Sequence, residues 1–190
     1  MKQFDINQII KAWETILTSL GLDLNDPNFT ETPIRITKMY NEIFAGLLDG
    51  ELEDLERHIT KTFPTDYHGI VAIKDIHTWG VCPHHFLPVE YTIDVGYIPR
   101  HKVLGLSKLP RVVELLSSRP VLQEQLTDDI VQYLERFLDP EGVIVQVKGR
   151  HHCMIVRGVK TEQAYAVTSA ITGIFRMTPS VKQEFYDLRN

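Results

Sequence analysis

The chain has 190 residues, 43% of them hydrophobic and 24% charged, with a formal net charge of -5. That is the composition of a soluble globular unit long enough to bury its own core. The acidic balance leaves no electrostatic footprint for a nucleic acid, and no apolar run approaches the roughly 18 residues of a membrane span.

Met1-Lys2-Gln3-Phe4-Asp5 carries no secretory apolar segment, so a cytoplasmic chain with reduced thiols is expected. Residues 6–20 place Ile6, Ile9, Ile10, Trp13, Ile16, Leu17 and Leu20 at helical spacing, with Gly21 as C-terminal cap. Pro33 suits the first turn of a second helix capped by Thr30 or Thr32, with Ile36, Met39, Tyr40, Ile43, Phe44 and Leu47 as its apolar face. A shorter helix is expected over 50–61. Periodicity then changes. Residues 70–76 read as a strand, and Val89, Tyr91, Ile93, Val95 and Tyr97 alternate with polar or small residues in a half-buried strand that Pro99 ends. Ser107 caps a helix over 108–118. A longer amphipathic helix follows, with Leu122, Leu126, Ile130, Leu134 and Leu138 on one stripe. Val143, Val145 and Val147 begin another strand, continued over 153–158 and 165–175, and Thr178-Pro179 opens a last short helix. The order predicts an α+β fold with a largely antiparallel sheet. It divides into an N-terminal helical region, 1–65, and an α+β core, 66–190, within one continuous unit.

The chemistry concentrates at Cys82-Pro83-His84-His85 and His151-His152-Cys153, which hold the only two cysteines. In a reducing compartment, cysteines beside histidines favour metal over a disulfide. Cys82 and His85 have C-x-x-H spacing, so both side chains can converge on one ion, and Cys153 would join from a distant strand. A Cys₂His set leaves one tetrahedral position for water, which zinc acidifies toward neutrality. His84 and His151 would flank the ion as proton carriers. Either could instead be a fourth ligand of a closed structural site, and composition does not separate these two.

Neighbouring motifs extend this pattern. Glu31-Thr32-Pro33-x-Arg35-Ile36-x-Lys38-Met39-Tyr40, Cys82-x-His84-His85, Gly105-Leu106-Ser107-Lys108, Gln123-Glu124-Gln125-Leu126 and His151-x-Cys153-x3-Arg157-Gly158 follow one another in this order. Together, over nearly the whole chain, they resemble GTP cyclohydrolase I, the zinc enzyme that converts GTP to 7,8-dihydroneopterin triphosphate with release of formate. The resemblance implies a tunnelling fold: an antiparallel sheet with helices on one face, sheets joining into a barrel on oligomerisation. The usual assembly is a toroidal homodecamer with active sites between subunits.

The resemblance also implies roles. Cys82, His85 and Cys153 hold one zinc per subunit, which activates water to open the guanine imidazole ring. His151 acts as the acid at N7, His84 assists, and Ser107 lies near the ribose and phosphates. Glu124, with Gln123 beside it, accepts from guanine N1–H and the 2-amino group. Lys108, Arg111 and Arg157 meet the triphosphate, with Arg35 reaching in from a neighbouring subunit. Taken singly, Glu124 reads as a solvated helix face and the cations as ordinary surface charge. The chain departs from the family at Pro83, where Glu is usual, at His152, where Tyr or Met is frequent, and over His77–Val81. Those departures keep two other readings in view: a relative acting on another purine nucleotide or stopping at the formamide, and a non-catalytic zinc-stabilised oligomer.

Overall fold

The computed structural model describes residues 3–48, 50, 56 and 61–188. The first helix, α1 (Ile6–Ser19), starts where Asp5 accepts from the Gln8 N–H at 2.9 Å. It ends at Gly21, whose φ of 78° lets Leu22 N–H reach back to the Leu17 carbonyl at 3.1 Å. Helix α2 (Thr32–Ile43) carries Pro33 in its first turn, as expected. Its N-cap is Glu31 rather than a threonine, because the Thr30 hydroxyl donates to the Leu24 and Asp26 carbonyls in the preceding loop. Apart from 50, 56 and 61, the helix expected over 50–61 lies outside the described residues.

The centre is a four-stranded antiparallel sheet of β2 (Val71–Val81), β3 (Pro88–Ile98), β5 (Gly142–His151) and β6 (Ala166–Ile171), paired in that order. Strand β2 runs five residues beyond the predicted 70–76. It holds register with β3 through a bulge between Ile73 and Ile76, where Asp75 adopts φ 55°. Two three-residue strands, β1 (Thr62–Pro64) and β4 (Lys102–Leu104), form a separate antiparallel pair. Among the described residues no helix is long and apolar enough to cross a membrane.

Alternation along β3 and β5 sets the layers. Val89, Tyr91, Ile93, Val95 and Tyr97, with Val143, Val145 and Val147, are fully buried on one face. Against them pack α3 (Lys108–Ser117), through Leu109, Val112, Val113 and Leu116, and α4 (Gln123–Leu138), through Leu126, Ile130, Leu134 and Leu138. This is the expected α+β arrangement, a helical layer on one face of an antiparallel sheet. The structure adds a small second core on the opposite face. Two short helices, α6 (Gly173–Met177) and α7 (Pro179–Asp187), place Phe175 and Phe185 beside Ile98 and Ile144 there. A Cβ on Gly96 would sit 2.6 Å from the Phe185 ring, so this seat requires glycine.

One expected strand is absent. Residues 152–155 form a helical turn, α5 (His152–Ile155), closed by Val156 N–H on the His152 carbonyl. Strand β5 pairs with β3 as far as His151 opposite Val89. Strand β3 begins at Pro88, so β5 has no partner strand to follow past that point.

Candidate active site and metal centre

Pairing register brings the two motifs together. Val89 lies opposite Gly80 on one side and His151 on the other, so the end of β2, the start of β3 and the end of β5 meet at one edge. The six residues from Cys82 to Leu87 turn between β2 and β3. Phe86 N–H donates to the Cys82 carbonyl and Cys82 N–H to the Leu87 carbonyl, each at 2.9 Å. Neither bond needs an N–H at position 83, which is why Pro83 fits there. Phe86 takes φ 53° at the end of the turn. Its ring meets Phe44 at 5.9 Å, the last link of an aromatic chain through Tyr40 to Trp13 that ties the N-terminal helices to the turn.

The ligand atoms of Cys82, His85 and Cys153 lie within 4.8 Å of one another. The two sulfurs are 3.8 Å apart and both cysteines are free. Two thiolates bound at ~2.3 Å to one tetrahedral zinc stand about 3.8 Å apart, so the sulfur pair fits such an ion. A disulfide needs about 2.05 Å, which excludes one between these sulfurs here. Burial, and then the neighbouring Cys82 sulfur, push the Cys153 thiol above its usual range. A dication held between the sulfurs would reverse that balance.

The two histidines beside the ligands stand differently. His84 is exposed, with Nδ1 3.9 Å from Cys82 Sγ and its ring edge-on to His85. His151 is half-buried, its Nε2 2.9 Å from Gln123 Oε1 and its ring at 87° to the Tyr91 ring. Burial lowers its pKa, with the Glu124 charge acting in the opposite sense. His152 faces the exposed Trp79 ring at 6.1 Å.

The remaining predicted residues fall on two helix starts and two other segments. Ser107 occupies the N-cap position of α3 but makes no capping hydrogen bond, contrary to its expected capping role. Lys108 and Arg111, one turn apart in α3, share a face of its first turn. Gln123 and Glu124 open α4; Glu124 is exposed and Gln123 is buried. Arg157 brings Nη1 to 2.7 Å from His85 Nε2, beside one member of the ligand cluster. Arg35 sits on α2, where its guanidinium donates twice to Glu31, at 2.7 and 3.2 Å.

Sequence reasoning treated Tyr91 only as core. It is also a wall of this site. Its ring lies between Gly80 and Gly149, where added Cβ atoms would come to 2.6 and 3.0 Å from it. Its hydroxyl is buried without a hydrogen-bond partner among the described residues. Burial holds that hydroxyl protonated, and the charges of Cys82 and Glu124 act the same way. Two strand glycines on either side of an inward tyrosine were the available signal.

The sequence profile of the GTP cyclohydrolase I family matches residues 9–190. GTP cyclohydrolase 1 of Desulforamulus reducens is 43% identical over 186 residues, covering 97% of each chain. The enzyme of Pelotomaculum thermopropionicum is 42% identical over 97% of each chain. That of Bacillus subtilis is 40% identical over 97% of this chain and 95% of its own. A Cys/His/Cys cluster assembled at one end of the sheet from two distant motifs and full-length likeness to these enzymes lead to one conclusion: the chain belongs to the GTP cyclohydrolase I family.

Proposed function

We propose that this chain opens the imidazole ring of GTP and rearranges the product to 7,8-dihydroneopterin triphosphate, releasing formate. The observation that carries this reading is the convergence of Cys82, His85 and Cys153 within 4.8 Å, with His151 two residues from one ligand. Cys82, His85 and Cys153 would hold one zinc per subunit, which would supply the Lewis acidity that activates water near neutral pH.

The chain's own groups divide the remaining work. His151, set in a half-buried position, gives a proton to guanine N7 as the ring opens. His84, exposed on the ligand turn, exchanges protons with solvent. Glu124 accepts from guanine N1–H and the 2-amino group; adenine offers no such donor pair, so ATP leaves the carboxylate unsatisfied. Lys108 and Arg111 meet the triphosphate at the start of α3, where backbone N–H groups also point toward an anion. Arg157 reaches the phosphates from beside His85, and the Ser107 hydroxyl serves the ribose and its proton transfers.

Assembly completes the site in this reading. The sheet leaves β2 and β6 as edges, eleven and six residues long, with Trp79 and Val167 exposed on them. Open edges of that length favour pairing with another chain. Sheets joined edge to edge into a barrel, within a toroidal decamer, would bring Arg35 of one subunit to the phosphates of the next. The working compartment is the cytoplasm, where both thiols stay reduced.

The test is mass spectrometry of products formed from GTP by zinc-loaded protein, with formate measured in the same tube. Equal amounts of dihydroneopterin triphosphate and formate are expected. An accumulating formamide, or zinc bound without turnover, overturns the reading.

A further inference from the structure

Gln123 is the first residue of α4, yet its side chain does not face solvent. It is buried, and its amide reaches across the sheet end to β5 and β6. Nε2 lies 3.1 Å from the Val147 carbonyl, 3.3 Å from the Ala166 carbonyl and 3.2 Å from Thr168 Oγ1. Backbone carbonyls only accept, so the nitrogen must be the end that faces them. The orientation of the amide is therefore fixed by its partners. Oε1 then points the other way, to His151 Nε2 at 2.9 Å. An amide oxygen only accepts, so His151 Nε2 must carry the hydrogen.

The surroundings are built for this contact. Thr127, one turn along α4, donates to the Gln123 carbonyl at 2.7 Å and stands 2.6 Å from Thr168 Oγ1. Gly149 leaves the passage open, since a Cβ there would lie 2.2 Å from Gln123 Oε1. The Tyr91 ring stands edge-on to the imidazole, its centroid 6.4 Å away.

We propose that Gln123 is a positioning residue: its side-chain oxygen holds His151 through Nε2–H and leaves Nδ1 as the nitrogen that exchanges a proton with the purine. This rests on the catalytic reading of His151 given above. It replaces the expectation that the Gln123 side chain binds substrate. A hydrogen bond to one ring nitrogen selects the tautomer and fixes the ring plane, which decides where the proton is delivered. Outer partners of this kind are worth about tenfold to a hundredfold in activity.

The direct test uses zinc-loaded protein labelled with ¹³C and ¹⁵N in histidine, at a pH where the ring is neutral. Solid-state carbon–nitrogen correlation separates the nitrogen bonded to Cδ2 from that bonded to Cγ, and His151→Gln identifies the signal. The expected proton is on Nε2. A proton on Nδ1 overturns the proposal without any variant. Gln123→Leu should mix the two tautomers and lower kcat about tenfold to a hundredfold, with zinc content and the KM for GTP nearly unchanged. A raised KM with unchanged kcat would make Gln123 a substrate ligand and sink the idea. Gly149→Ala keeps the glutamine but blocks its path, and should shift the tautomer in the same way; an unchanged His151 signal there counts against the proposal. Because the wild-type spectrum needs no turnover, an enzyme that fails on GTP but shows Nε2–H refutes the functional reading and not this contact.

Discussion

The sulfur atoms of Cys82 and Cys153 stand 3.8 Å apart although 71 positions separate them in the chain. Register produces this closeness, because Val89 pairs with Gly80 and with His151 at once. Cys82 lies two residues past one pair and Cys153 two residues past the other. The pair belongs to neither motif alone, and losing either sulfur leaves too few ligands for tight zinc. Cys153→Ala should therefore lose bound zinc and formate release together, measured by elemental analysis and by formate assay on one preparation. Full zinc in that variant would remove Cys153 from the ligand set. After chelation and without reductant, both wild-type thiols should react with a thiol reagent.

His151 and Glu124 separate the chemistry from the metal. His151→Ala should keep its zinc and lose ring opening by about 10²–10⁴-fold, the usual worth of a positioned acid. Ring opening at the wild-type rate would end the acid assignment. Glu124→Gln keeps the shape but loses the charge that accepts two guanine donors. It should narrow the preference for GTP over ATP, read as the ratio of the two kcat/KM values. An unchanged ratio would show that the carboxylate does not select the base.

Much of the fold was legible because its signals are periodic. The α1 and α4 helices and the alternation of β3 stand in the structure as read, although Ile6, Ile16, Leu20 and Leu122 of the two apolar stripes are exposed, and β3 is the strand around which the site is built. What escaped was decided by partners rather than by local pattern. Met154-Ile155-Val156 reads as apolar strand, but β3 starts at Pro88 and leaves it nothing to pair with, so the chain turns and Val156 is exposed. Strands β1 and β4 are three residues each, too short for a period. The Cys82, His85 and Cys153 group, which could hold a metal, was visible through residue type and spacing. The hold of Gln123 on His151 was not, because it joins positions 28 apart across the end of the sheet.

The buried Tyr91 hydroxyl gives a prediction of unusual sign. An unsatisfied buried polar group costs about 1–3 kcal/mol. Tyr91→Phe keeps the ring between Gly80 and Gly149 and removes the orphan, so it should raise the thermal midpoint of zinc-loaded protein. Gly80→Ala presses a methyl to 2.6 Å from the same ring and 3.1 Å from the Ser117 carbonyl. It should destabilise by about 1–3 kcal/mol, the cost of overpacking. Calorimetry of both variants checks the pair. A lowered midpoint for Tyr91→Phe would mean the hydroxyl has a partner in the working enzyme.

The opposite face of the sheet depends on one buried carboxylate. Asp94 accepts from the Asp75 N–H at 2.9 Å, which anchors the bulge in β2, and stands 3.8 Å from Lys74 Nζ. Lys74 in turn donates to the Phe185 carbonyl at 2.8 Å and lies 3.2 Å above the Phe185 ring. The bulge, the lysine and α7 thus share one charge pair. Losing a hydrogen bond to a charged group costs about 1.5–3 kcal/mol. Asp94→Ala should show that loss in urea unfolding, and hydrogen exchange should rise first in α7, where the lysine holds the chain end. Zinc content should stay at the wild-type level, since Asp94 is on the face away from the ligand cluster's core side chains. Unchanged stability would mean that α7 is held by its other contacts and not through Asp94.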